Sequence, residues 1–163
     1  MKPATRRVPQ LFALAAVLAF GGVGAALVSQ HVFDMQPCAW CVLQRLIFIV
    51  IGLVALAGLA GRARALRLAA SLGVLVLAAA GVASALWQHF VAASSTSCRL
   101  TLADRIVGSL GLDGLAPEVF AARASCAEAS VALLGVPYAM WSLALFVLLG
   151  SIASAAALGA ARH

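Results

Sequence analysis

The residues best equipped for chemistry in this 163-residue chain are four cysteines, Cys38, Cys41, Cys98 and Cys126. Cys38 and Cys41 sit in the stretch QPCAWCVLQRL, at the head of a long apolar run that also carries Arg45. Spacings of three and four residues put Cys38, Cys41, Arg45, Phe48 and Gly52 on one face of a helix. In the first turn of such a helix, free backbone N–H groups and the helix dipole stabilise a thiolate, which is the reactive form of cysteine. Arg45 then lies roughly 6 Å deeper than Cys41, where an unpaired charge in hydrocarbon costs up to about 2.5 to 3.5 kcal/mol. Two outcomes offset that cost. The side chain snorkels back to the rim, or it holds a polar group of a lipid-soluble ligand beside the cysteines. A thiolate beside a guanidinium at a bilayer edge suits electron donation to a quinone, with the arginine on a carbonyl oxygen. His89 is expected near the same rim, as a further contact to such a ligand or as an interfacial polar anchor.

An even number of cysteines suggests two disulfides in an oxidising compartment. Three pairings are open, of which the short Cys38 to Cys41 spacing favours local pairing, leaving Cys98 with Cys126. A zinc cage of four thiolates is the competing use of the same residues. It is disfavoured because a second C-x-x-C is missing and Cys98 and Cys126 are far apart in sequence. Inert bridges that only brace loops are the other alternative.

The elements that must position these residues follow from composition. The chain is 64% hydrophobic and 10% charged, more apolar than a soluble domain of this length can bury. A bilayer span needs about 20 apolar residues, and four stretches qualify, at about 11–30, 42–60, 68–88 and 131–161. The reading is an all-α membrane protein: residues 1–163 form a single four-transmembrane-helix bundle. A cleaved signal peptide is the alternative for the first stretch, which is longer than the ~7 to 15 residues of a usual signal core.

Charge gives the orientation. Lys2, Arg6, Arg7, Arg62, Arg64, Arg67 and Arg162 flank the spans on one side, which the positive-inside rule makes cytoplasmic, with both termini. All five acids, Asp34, Asp104, Asp113, Glu118 and Glu128, fall in the loops on the other side, about 31–37 and 90–130. The net charge of +6 is thus a topology signal that requires no nucleic-acid partner. A bacterial inner membrane with periplasmic redox loops fits this pattern. The long loop opens with the small, polar run AASSTSC, and Leu102, Ile106, Val107 and Leu110 then recur at helical spacing. Short amphipathic helices are expected there, lying on the membrane surface or capping the bundle.

With these residues in view, PCAWCVLQR resembles the C-x-x-C-x-x-x-R motif of the DsbB family, bacterial membrane proteins that reoxidise the periplasmic dithiol oxidase DsbA and pass its electrons to quinone. The resemblance spans the chain: four apolar stretches, a second cysteine pair in the long loop with APEVF between, and Gly135, Pro137 and Trp141 entering the last span. The dipeptide inside the motif, Ala39-Trp40, is bulkier than is common in that family. The vitamin K epoxide reductase family has similar chemistry, but its loop cysteines precede its C-x-x-C, whereas here the C-x-x-C comes first.

The resemblance implies that Cys98 is attacked by the partner thiolate and that Cys126 is its loop partner. Cys38 would exchange with the loop cysteines, Cys41 would face the ring of a ubiquinone or menaquinone, and Arg45, with His89, would bind it. The partners implied are a DsbA-like periplasmic thiol oxidase, the quinone pool and the bilayer; no metal is implied. A structural disulfide, below about −300 mV, would be too reducing for this relay, so the Cys98–Cys126 bridge is expected to be exposed and easily reduced. A rival class is a membrane scaffold whose disulfides only brace its loops. A transporter fits less well, because Arg45 is the sole charged residue in the spans and no carboxylate pathway accompanies it.

Overall fold

A computed structural model describes residues 3–94 and 101–162. Four helices are long and apolar enough to cross a membrane: α1 (Pro3–Val32), α2 (Ala39–Ala60), α3 (Arg64–Phe90) and α7 (Tyr138–Ala161). Three short helices, α4 (Leu102–Ser109), α5 (Leu112–Leu115) and α6 (Pro117–Phe120), lie between α3 and α7. The long helices form a closed ring in which α1 packs on α2, α2 on α3, α3 on α7 and α7 on α1.

In lipid, apolar side chains gain little by leaving one apolar medium for another, so close packing of small residues decides how helices meet. Ala15, Ala16 and Ala19 of α1, Ala55 of α2, Ala78 of α3 and Ala156 of α7 are all buried in the common core. Aromatic rings then fill notches left by glycine. Phe146 of α7 lies so close to Gly81 of α3 that a Cβ there would overlap the ring, and Phe20 of α1 fills the space beside Gly52 of α2 in the same way. Phe146 also stacks on Phe48, with ring centroids 4.0 Å apart and planes 3° from parallel. This pair ties α2 to α7 about two helical turns beyond Cys41.

The start of the fourth long helix differs from the sequence expectation. It begins at Tyr138 rather than Val131, because residues Ala132–Leu133 and Val136–Pro137 pair as a small antiparallel hairpin. Its turn residues Leu134 and Gly135 both have positive φ, 56° and 79°, the backbone that a tight two-residue hairpin requires. Pro137 then fixes its own φ and keeps Val136 extended, so the helix can start no earlier than the proline, which here is the N-cap of α7. Trp141 locks the hairpin to the helix by donating its indole N–H to the Leu133 carbonyl at 3.3 Å.

The short helices rest on the bundle. Val107 of α4 and Phe120 of α6 are buried against Val42 near the start of α2. Leu102, Leu110 and Leu115 of the same region stay exposed. Helix α4 is started by a capping box, in which Thr101 and Asp104 satisfy each other's backbone N–H groups.

Candidate functional site

The pair at the head of α2 is placed by local chemistry. Pro37 precedes Cys38, which serves as the N-cap of α2 in extended conformation, and the Cys38 sulfur accepts the Cys41 backbone N–H at 3.4 Å. A sulfur thus stands where serine or aspartate usually caps a helix, and the two Sγ atoms are 3.0 Å apart. Cys38 is fully buried and Cys41 partly exposed.

Cys126 comes to this pair from the loop. Its thiol is hydrogen-bonded to Cys38, and the Trp40 backbone N–H also bonds it. The bonding is polarised. Hydrogen bonds to Cys126 and Cys41, together with burial, push the Cys38 thiol up, whereas the bond from Cys38 holds Cys126 below the ordinary thiol range. The loop is held in place by backbone bonds, since Arg123 and Ala124 both donate N–H groups to the Pro37 carbonyl, at 2.9 and 3.3 Å. A second capping box, Ser125 with Glu128, shapes the turn that carries Cys126. Cys98, the remaining expected site residue, lies outside the described residues.

Cys41 faces a cavity of about 440 Å³ between α1, α2, α3 and α7. Its walls are largely apolar, from Gly22, Ala26, Phe48, Leu145 and Leu148, and the hairpin residue Leu133 closes one side. Polar groups gather beside Cys41: Gln44, Arg45, Gln88 and Tyr138 line the same cavity. This size and mixture suit a ring-shaped apolar ligand with a few polar atoms at one edge.

Arg45 follows neither course that the sequence leaves open in full. It lines the cavity, but its guanidinium is buried, 5% exposed, and is satisfied by protein acceptors. Nη1 donates to Gln30 Oε1 at 2.7 Å and to the Val119 carbonyl at 3.1 Å, and Nη2 to the Ala26 carbonyl at 3.4 Å. Gln30 in turn donates to the Glu118 carbonyl at 3.2 Å. Arg45 and Gln30 together grip two successive carbonyls of α6, so the charge near the cysteines also anchors the loop.

His89 is not brought to the cavity. Its ring packs edge-on against Phe90 with centroids 4.8 Å apart, and the residue one step earlier, Gln88, lines the cavity in its place. Gln88 donates to the Cys41 sulfur at 3.1 Å and accepts from Gln44 Nε2 at 2.7 Å. Sequence reasoning missed Gln30, Gln44 and Gln88. A usable signal was there, since each is an uncharged polar residue at a depth where apolar residues prevail, as Arg45 is.

Comparison with known proteins agrees with this architecture. The family model for DsbB, described as disulfide bond formation protein DsbB, matches residues 6–156. A disulfide bond formation protein B from Ralstonia nicotianae is 36% identical over 146 residues, covering 85% of this chain and 86% of the relative. One from Aromatoleum aromaticum is 34% identical over 147 residues, covering 88% and 86%. Disulfide bond formation protein B 1 of Pseudomonas aeruginosa is 34% identical over 142 residues, covering 85% and 87%.

Proposed function

Because this chain belongs to the DsbB family of membrane disulfide bond formation proteins, we propose that it reoxidises a DsbA-like periplasmic dithiol oxidase and delivers the electrons to a membrane quinone. The observation that carries this reading is the row of sulfurs from Cys126 through Cys38 to Cys41, ending on an apolar cavity. That row supports a direction of flow, from the loop, through the buried pair, to the bilayer.

In this reading a partner thiolate attacks Cys98 of a Cys98–Cys126 disulfide, and the Cys126 thiolate leaves. The partner's second thiolate breaks the mixed disulfide, so the partner leaves oxidised and the loop pair reduced. Cys126 then attacks the Cys38 sulfur of a Cys38–Cys41 disulfide and releases Cys41 as thiolate. Cys98 resolves the Cys126–Cys38 bridge and restores the loop disulfide. Two electrons now reside on the Cys38 and Cys41 thiols. When held in the cavity beside Cys41, a quinone would supply the acceptor for the two electrons and two protons that the Cys38 and Cys41 thiols give up as they return to their disulfide.

The chain's own residues prepare each transfer. The Trp40 backbone N–H beside Cys126 favours its thiolate, the nucleophile of the inward step, when the Cys38 sulfur is held in the disulfide it attacks. Gln88 meets the outgoing sulfur, Arg45 offers charge at the cavity wall, and Phe48 and Leu145 exclude water around it. The polar cluster beside Cys41 fits one carbonyl edge of a quinone, ubiquinone or menaquinone, and the apolar remainder its ring. The cysteine end of the bundle is assigned to the periplasm and the Arg62, Arg64 and Arg67 end to the cytoplasm of the bacterial inner membrane.

The test mixes the purified chain with a reduced DsbA-type protein and a short-chain quinone, and follows quinone absorbance. Turnover is expected for the wild type and its loss for Cys41→Ser. A folded wild type that reduces no quinone refutes the proposal and favours a scaffold held by inert thiols.

A further inference from the structure

Two glutamines form a chain of hydrogen bonds inside the bundle, and it ends on a reacting sulfur. Gln44 and Gln88 are each 3% exposed, on α2 and α3. Buried amides between membrane helices are retained only when their polar atoms find partners, and leucine would pack in the same space without that requirement. Here Gln44 Nε2 donates to Gln88 Oε1 at 2.7 Å, and Gln88 Nε2 donates to Cys41 Sγ at 3.1 Å.

The first bond dictates the second. An amide can turn over and exchange its oxygen for its nitrogen. If Gln88 did so, its N–H groups would face the donor Nε2 of Gln44, and its oxygen would face the sulfur. With Gln44 Nε2 turned toward it as observed, Gln88 keeps its N–H side toward Cys41. A neutral thiol is a weak acceptor, whereas a thiolate accepts a charge-assisted bond about twice as strong, so the contact favours the reduced, ionised sulfur.

Arg45 is the obvious candidate for that task, but the acceptors of its donated bonds among the described residues are Gln30, Val119 and Ala26. We propose that Gln88 is a further catalytic residue, the direct donor that stabilises and aims the Cys41 thiolate toward the cavity, with Gln44 as its positioning residue. This rests on the reading of Cys41 as the sulfur that hands electrons onward. A neutral donor does this without adding a second charge to an apolar cavity.

The experiment reads the Cys38–Cys41 couple alone. The full-length chain, with Cys98 and Cys126 replaced by serine, is placed in lipid nanodiscs and equilibrated with mixtures of reduced and oxidised glutathione. Two molecules of glutathione reduce the disulfide to two thiols and leave as one glutathione disulfide, so the thiol fraction gives the equilibrium constant. Gln88→Met removes the donor and is expected to shift the equilibrium toward the disulfide on the order of tenfold, about 30 mV for two electrons. Gln44→Met, which frees Gln88 to turn, should shift it the same way by roughly threefold. If Gln88→Met does not fold, Gln88→Asn keeps an uncharged amide but draws its N–H back from the sulfur by one methylene, and it should shift the equilibrium the same way.

A folded Gln88 variant with the wild-type equilibrium overturns the proposal, as does a shift for Gln44→Met without one for Gln88→Met. Neither quinone nor partner protein enters this measurement. Its failure therefore leaves the oxidase reading standing, and a wild type unable to reduce quinone refutes that reading while the glutathione shift persists.

Discussion

Replacing Arg45 by methionine should undock the long loop before it unfolds the bundle. In the docked state Arg45 contributes a charged hydrogen bond to the Val119 carbonyl at 3.1 Å, and it orients Gln30, whose amide reaches the Glu118 carbonyl at 3.2 Å. A charged bond is worth about 1.5 to 3 kcal/mol and a neutral one about 0.5 to 1.5 kcal/mol. Loop docking should therefore weaken by about 2 to 4 kcal/mol, which raises the open population on the order of a hundredfold. Arg45→Lys keeps the charge but presents a single ammonium to acceptors spread around a planar fork, so an intermediate loss of about tenfold is expected. Hydrogen exchange provides the assay, because the Arg123 and Ala124 amides bond to the Pro37 carbonyl only while the loop is docked. Both amides should exchange faster in Arg45→Met, while those of α2 and α3 below the site keep their protection. Unchanged exchange at Arg123 and Ala124 in a folded Arg45→Met protein would refute the assignment of Arg45 as the anchor of α6.

Three further outcomes follow from the same geometry. Alkylation of Cys126 should persist to lower pH than for a free thiol, since the bond from Cys38 lowers its titration, and Cys38→Ala should move the profile back up. The sign is that of a depressed group: the associated stabilisation is complete above the range in which an unfolded thiol ionises, and is lost as pH falls through the lowered value. Gly81→Leu places a side chain inside the space of the Phe146 ring, and its overpacking should lower thermal stability by about 1 to 3 kcal/mol; an unchanged melting temperature would contradict the close approach of α3 and α7. Phe120→Ala removes a ring buried against Val42 and should loosen the short helices by about 3 kcal/mol, read as faster proteolysis between Thr101 and Ser130 with the long helices intact.

What could be read from the residues alone was whatever depends on near neighbours. The four long helices follow from runs of apolar residues, and the placement of Cys38 and Cys41 at the head of α2 follows from a proline just before two closely spaced cysteines. The hairpin before α7 was hidden because Val131 to Leu134 is as apolar as the helix it precedes, and its signal lay in Gly135 and Pro137, residues that also enter membrane helices. Arg45 was recognisable as a charge that needed partners. Its partners were not, since Val119 is 74 residues away in sequence and Glu118 is 88 from Gln30.

The same distinction explains how one arginine can serve two parts of the molecule. Its depth is set by position in α2, four residues past Cys41, and its neighbours by the fold of a distant loop. One edge of the guanidinium grips α6, and the residue as a whole lines the cavity beside Cys41. The loop that brings Cys126 to Cys38 and the cavity beside Cys41 therefore share a single fixed charge. Loss of that charge should impair thiol exchange and cavity binding together, whereas loss of the Gln88 amide should change the Cys38–Cys41 equilibrium and leave the loop docked. The contrast between Arg45→Met and Gln88→Met, measured by loop exchange and by glutathione equilibrium on the same preparations, separates the anchor from the donor. Matching effects of the two variants in both measurements would mean that the site behaves as one undivided network.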